Sequence, residues 1–352
     1  MFNILLSLTP SLTRVLITSV VLGFLAGSFG VFIILKKQAL IGDSLAHAAL
    51  PGIVISFLVF GSKRLEILLI GAFISGIVAI ILFNIIKKYS KIKNDATLAI
   101  ILAGFFGLGR LLLSIVQSSP LGAGAAGLED FIFGQTATIL LKDMYLIVLI
   151  SVLVNIFVLL LWKEIKLSTF NSEYFNTLGF NSKIVNSIFS ILIVLVVVAG
   201  IQMIGIVLIS SLLIAPAVAA RQWSHKLSIN FVTAGLLGAV SGLIGVLIGD
   251  YYSLPPGPTI IVVLSLIVLV SLLLAPKNGV LAKTIKDLVY KHRIKKYSML
   301  VSIYRKDSAN LNIEKVDEFI EDGLLSYHNK QYILTDKGII KVRQILGVRD
   351  NG

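Results

Sequence analysis

Nine stretches of this chain are apolar over most of the length needed to cross a lipid bilayer, and that repetition restricts the fold more than any other feature. They cover roughly residues 12–35, 39–60, 65–87, 96–116, 143–162, 184–200, 203–220, 229–249 and 258–275. A helix needs about 20 apolar residues to span the hydrocarbon core. Inside lipid every backbone N–H and C=O must be satisfied within its own segment, so such runs fold as helices. The two runs flanking Gly200 are short and also read as one broken segment, which gives eight or nine spans. Composition agrees: 57% of residues are hydrophobic and 14% charged, against about 25% charged in soluble domains. The surplus apolar surface must face lipid.

The formal net charge is +13. Lys36 and Lys37, then Lys87, Lys88, Lys91 and Lys93, then Lys163 and Lys166, then Arg221 and Lys226, and finally Lys277 fall at alternate ends of the spans. With nine spans they share one side, and the intervening loops, such as 117–138 and 250–258, carry acidic, small and turn residues. Lys63 and Arg64 are the main exception. The positive-inside rule then places the C-terminus in the cytoplasm and the N-terminus outside; an even count reverses the N-terminus. Basic loops beside anionic lipid account for the charge without nucleic acid. Cysteine is absent, which excludes disulfides and thiolate metal sites. Residues 1–12 lack a basic n-region, so no removed targeting segment is expected.

Pairs of small residues at helical spacing, Gly23 with Gly27, Gly238 with Gly242 and Gly245 with Gly249, are expected to let helices approach closely. After Pro276 the composition becomes charged and regular. An amphipathic stretch at 281–289 leads into the basic run 291–296. A helix around 316–320 closes at Gly323, and a two-stranded ribbon at 327–334 turns at Asn329 and Lys330. A helix over 335–346 follows, capped by Thr335 or Asp336. The expected fold is an all-α polytopic membrane helix bundle, residues 1–276, followed by a small soluble α+β domain, residues 277–352.

Within the second span, Asp43 and His47 stand four apart and so share a helix face. A carboxylate and an imidazole projecting together make half a site for a divalent ion. Burying an ionised Asp at mid-membrane costs roughly 2.5–3.5 kcal/mol on insertion scales, so it needs a partner or a wet cavity. Pro51, with Gly52, is expected to break the helix just beyond and to free carbonyls for the pathway. The residues alone favour a plainer alternative, in which Asp43 caps the helix and His47 makes one interhelical hydrogen bond. Two ligands do not make a site.

The stretch Gly30–Lys37 followed by Gly42-Asp43-Ser44-Leu45-Ala46-His47-Ala48-Ala49-Leu50-Pro51-Gly52 resembles the signature of the manganese, zinc and iron permeases of ABC importers. Further similar segments follow in order: Asp95–Ile100, Phe133-Gly134, Leu212–Arg221 with its Ala-Pro-Ala, and Leu254-Pro255-Pro256-Gly257-Pro258. The resemblance spans roughly residues 12–276. It implies uptake of a transition metal, delivered by an extracytoplasmic metal-binding protein and coordinated in transit by Asp43 and His47. Two features depart from the family pattern. Ala46 stands where Ser usually precedes the motif His, and Arg110 sits inside the fourth span, where it is expected to face away from a cation path.

An imidazole–carboxylate set without thiolate suits Mn(II), Zn(II) or Fe(II) better than Cu(I). The metal is cargo, and no permanently bound cofactor is expected. A twofold pair of permeases, identical or paralogous, would present two such sets to one path. No G-x-x-x-x-G-K-[ST] occurs; the nearest case, Gly104 to Gly109, is followed by Arg110 in an apolar span. ATP hydrolysis therefore belongs to a separate ABC subunit, and this chain is not expected to be an enzyme. The segment 168–181 reads as a short helix ended by Gly179 and capped by Asn171 or Ser172. The resemblance makes Ser172, Glu173, Tyr174, Phe175, Asn176, Thr177, Leu178 and Gly179 the coupling helix that meets the ATPase. The tail resembles a winged helix through Glu321–Leu325 and Tyr332–Gly338. Its Lys and Arg are mixed with Asp and Glu, so regulation or subunit contact is expected of it and nucleic-acid binding is not. The competing readings are a metal-chelate permease, with a wider path and no paired ligands, and a membrane-anchored metal-responsive regulator.

Overall fold

The computed structural model describes residues 9–118, 128, 139–276, 279–305, 313–328 and 331–346. Four features of the sequence lie outside them: Phe133-Gly134, Lys277, the ribbon turn at Asn329 and Lys330, and most of the loop 117–138. The chain forms two compact units, Met1–Leu272 and Leu273–Gly352.

The first unit is a helix bundle: α1 (Pro10–Leu35), α2 (Ile41–Phe60), α3 (Leu65–Tyr89), α4 (Asn94–Gln117), α5 (Leu141–Leu160), α6 (Trp162–Phe170), α7 (Ser172–Thr177), α8 (Ser182–Ile204), α9 (Ile206–Trp223), α10 (Leu227–Tyr251) and α11 (Pro256–Leu274). Among the described residues eight of these, all but α6, α7 and α9, are long and apolar enough to cross a membrane. Gly200 does not separate the sixth of the nine expected runs from the seventh. It lies within α8, packed against Ile209, and the break falls at Gly205, whose φ of 93° suits glycine alone.

Lipid is as apolar as a leucine side chain, so membrane helices associate through close packing and buried hydrogen bonds. The expected small-residue pairs do this. A Cβ on Gly23 would meet the backbone of Gly238, one on Gly27 that of Ala234, and one on Gly30 that of Leu213. These contacts lock α1 against α10 and α9. Gly242 faces Ser19 and Gly245 faces Ile260 in the same way. The core runs through α1, α2, α8 and α9, with Leu22, Leu25, Phe29, Phe32, Ile53 and Ile193 fully buried.

The second unit holds α12 (Val280–Lys296), α13 (Ser298–Arg305), α14 (Ile313–Glu321), the strands β1 (Leu325–His328) and β2 (Gln331–Leu334), and α15 (Asp336–Leu346). The antiparallel ribbon pairs Leu325 with Leu334 and Tyr327 with Tyr332. Thr335, not Asp336, caps α15: its Oγ1 accepts from the Gly338 N–H at 3.1 Å and donates to the Gly323 carbonyl at 2.6 Å. α13 adds a helix beyond the sequence expectation, and its Met299, Leu300 and Val301 join Val316, Phe319, Leu325 and Val342 in a separate small core.

Candidate functional site

The Asp43–His47 pair sits in the first two turns of α2, the helix packed against α3, α4, α8 and α9. Small residues bring it there. A Cβ on Gly42 would lie 2.8 Å from Leu213 Cδ1 and 3.4 Å from Ser210 Cα, so glycine seats the helix against α9. Two serines, Ser44 buried and Ser75 half-buried, then fix its depth and rotation. Ser44 Oγ donates to the Leu98 carbonyl of α4 at 2.7 Å, and Ser75 Oγ of α3 donates to the Ala48 carbonyl at 2.6 Å.

Held this way, the two side chains face each other without a close hydrogen bond. His47 Nε2 is 3.6 Å from Asp43 Oδ1, too far for a hydrogen bond. His47 Nδ1 is buried and has no hydrogen-bond partner. Asp43 lies in the first turn of α2, not at its N-cap, which is Leu40 and supplies no side-chain cap. Among the described residues neither Asp43 nor His47 makes an interhelical side-chain hydrogen bond. The side chains are 33% and 16% exposed for Asp43 and His47, so the pair opens at the edge of the core. The imidazole packs edge-on against Phe106 of α4, ring centres 4.9 Å apart and planes at 77°. Among the described residues no third His, Asp or Glu joins them.

One expectation needs correction. Pro51 does not break α2: the helix runs through it to Phe60. Lacking an N–H, Pro51 cannot bond the carbonyl four residues back, that of His47. Pro51 and Gly52 instead line a groove bounded by α2, α3 and α4. Arg110 is exposed and stands one turn beyond Phe106 on α4.

The short segment between α6 and α8 forms the expected helix, α7. Asn171 caps it, accepting from the Tyr174 N–H at 2.9 Å, and Gly179 follows at φ 87°. Phe175 is buried and stacks on Phe180, while Phe170, Tyr174, Leu178 and Phe180 are all exposed. Asn176 Oδ1 accepts from the Ser182 N–H at 3.0 Å and ties the loop to the start of α8. α6, which the sequence reading missed, anchors this segment to the bundle. Its Trp162 packs edge-on against Phe32 of α1 and Phe231 of α10, with centroids at 5.6 and 5.1 Å. Phe189 of α8 stacks on Phe29 in the same cluster, and Lys36 places its Nζ 4.1 Å over the Phe189 ring while donating to Asn186 Oδ1 at 2.7 Å. Burial, and then the neighbouring Lys87, push the Lys36 ammonium down to about 8. A hint of this cluster was present in the sequence, because Trp162 is one of only two tryptophans.

Residues 9–275 match the ABC 3 transport family. The chain is 45% identical over 272 residues to the zinc transport system membrane protein TroC of Treponema pallidum, covering 77% of this chain and 91% of that one. It is 36% identical over 303 residues to the manganese transport system membrane protein MntC of Bacillus subtilis, covering 86% and 69% respectively. Among solved structures, PsaBC from Streptococcus pneumoniae in complex with Fab superposes with a TM-score of 0.68 at 28% identity, over 77% of this chain and 94% of that one.

Proposed function

The chain belongs to the ABC 3 transport family, and on that premise we propose that it is the membrane-spanning permease of an ATP-driven importer of divalent transition-metal ions, manganese, zinc or iron. One observation carries the reading. Asp43 and His47 stand a turn apart on the central helix of the bundle, with no hydrogen bond made by either nitrogen of the imidazole. A carboxylate and an unengaged imidazole, without thiolate, match the borderline ions of that group. Paired ligand side chains disfavour a chelate as cargo.

Two ligands leave a coordination shell half filled. A second permease copy, identical or paralogous, supplies the other half across a twofold axis, and an extracytoplasmic metal-binding protein delivers the ion. Binding is transient, and alternating access moves the ion from one side to the other. The energy comes from a separate ATP-binding subunit. Its contact is α7 with Leu178 and Gly179, where the exposed Tyr174, Leu178 and Phe180 offer apolar anchors. Trp162 passes the push into α1 and α10 through packed rings. Residues 277–352 form a cytoplasmic extension, and the order helix, helix, helix, ribbon, helix supports a winged-helix kinship for it. Its mixed charges favour a regulatory or subunit contact and give no footing for nucleic acid.

The test is metal accumulation in cells expressing the complete transporter, scored by multi-element mass spectrometry for Mn, Zn, Fe and Cu at matched expression. Asp43→Ala and His47→Ala should each lower uptake of the same one or two metals by about tenfold or more, at least the loss typical of disturbing a supporting group of a metal site. Undiminished uptake in well-expressed variants would sink the assignment.

A further inference from the structure

The groove lined by Pro51 and Gly52 has a volume of about 610 Å³, in the range of sites that enclose a ligand of moderate size. Its floor is α2, with Ile55 and Ser56. One wall is α3, from Gly71 through Ile74, Val78 and Leu82 to Ile86, and the other is α4, with Ile100, Gly104 and Leu108. The lining is almost wholly apolar. Its hydroxyls are those of Ser56 and Ser75, and Ser75 is spent on the Ala48 carbonyl. From Gly71 to Ile86 the wall is about 22 Å long at 1.5 Å per residue, more than the depth of one leaflet of a ~30 Å core.

What stands at the end of this groove identifies its occupant. Ile86 is followed at once by Lys87 and Lys88, and Lys91 and Lys93 complete the loop into α4. All four lysines are exposed. Among the described residues none of them forms an ion pair; Lys87, a neighbour of Lys36, rests over the ring of Phe83, and Lys88 over that of Tyr89. Asp95 is the single acidic residue between positions 87 and 95. Unneutralised lysines at a membrane boundary attract anionic headgroups.

From the apolar groove and the lysines at its mouth we infer that α2, α3 and α4 hold an anionic phospholipid, one acyl chain lying along the groove and its phosphate meeting Lys87, Lys88, Lys91 and Lys93. A second copy of this chain is the rival occupant, and the geometry of α4 speaks against it. Phe106, which meets His47, projects roughly 170° around the helix from the groove-lining residues at 3.6 residues per turn. A partner permease completing the Asp43–His47 path approaches from that other side. The groove is left to lipid. A bound anion there would neutralise the basic end of α3, next to the helix that carries the ion-binding pair.

The experiment is native mass spectrometry of the purified full chain, exchanged against phosphatidylglycerol and phosphatidylcholine of identical acyl chains. Wild type should retain phosphatidylglycerol in preference. Lys87→Gln with Lys88→Gln should weaken that preference roughly 25-fold, at about fivefold per lysine, and adding Lys91→Gln and Lys93→Gln should abolish it. These side chains are exposed, so the variants should fold. Gly104→Leu should lower retention of both lipids, because nothing lies within 4 Å of a Cβ built at Gly104 and the new side chain has room to fill the groove. Equal retention of the two lipids by wild type, or unchanged retention in Gly104→Leu, overturns the inference. The chain has no cysteine, so a single Ile74→Cys variant reports the rival directly: cross-linking to a second copy in the assembled transporter would assign the groove to protein.

Discussion

α1 and α4 have the same mean hydropathy, 2.2, over their most apolar windows, yet 72% of the α1 window is buried and 22% of the α4 window. Both carry glycines, and the glycines explain the difference. Those of α1 are pressed against backbone: Gly23 on Gly238, Gly27 on Ala234, Gly30 on Leu213. On α4, Gly104 and Gly107 have nothing within 4 Å of where a Cβ would stand. Hydropathy measures how willingly a segment enters lipid. It does not say whether its neighbours there are helices of the same chain, because hydrocarbon and a leucine-rich helix are equivalent solvents. α1 is a structural pillar, whereas α4 is a boundary helix whose faces meet the groove, the His47 ring and the exterior.

The largest expected break in this comparison is on the α1 side. Gly30→Leu should collapse the yield of folded, monodisperse protein in fluorescence-detected size exclusion. The side chain would collide with the Leu213 carbonyl, and overpacking of this sort costs about 1–3 kcal/mol even where a side chain, not backbone, has to yield. A normal elution profile would mean that α1 has slack against α9. On α4 the matching change, Gly107→Ala, should leave the profile intact and raise thermal stability by up to about 1 kcal/mol, the helix-propensity gain of alanine over glycine. A lowered melting temperature in the isolated chain would reveal a neighbour at Gly107 and erase the contrast.

The smallest effect concerns the charged ends. Lys36, just after α1, is packed under Phe189, whereas Lys93, just before α4, is exposed. Burial favours neutral Lys36, with its pKa lowered from 10.5 to about 8. Between those values the unfolded chain binds the proton and the folded chain does not, so stability rises with pH across that window. Below about pH 8 both states are charged and the contribution is flat. Thermal unfolding in detergent from pH 7 to 10 should therefore show a rise that Lys36→Gln flattens and Lys93→Gln does not. An identical rise in all three proteins would place the titrating group elsewhere.

Much of the site was legible because it depends on local spacing. Asp43 and His47 share a face for any helix through them, and no rearrangement of neighbours changes that. The α7 turn followed from Gly179 and a capping side chain, although the choice of Asn171 over Ser172 needed the actual hydrogen bond to Tyr174. Other features rest on contacts distant in sequence. The Phe106 ring against His47, the Trp162 anchor and the groove each join segments whose approach no local pattern encodes. Pro51 misled for the same reason. An isolated proline weakens a helix by removing one bond, but α2 is clamped by Ser44 to Leu98 and by Ser75 to Ala48, and the clamp carries the helix through.

By itself the sequence determined that this chain forms helices long and apolar enough to cross a membrane, and that the second of them carries one carboxylate and one imidazole on a shared face. Those follow from segment length, residue identity and spacing, properties that survive any fold. Only the tertiary structure decided which apolar helices face inward, that the break before α9 falls at Gly205 and not Gly200, and that His47 Nδ1 is buried with no hydrogen-bond partner among the described residues. Each of these depends on which backbones approach closely enough to exclude a Cβ or to satisfy a polar atom. That is a property of pairs of segments, and hydropathy along one segment does not contain it.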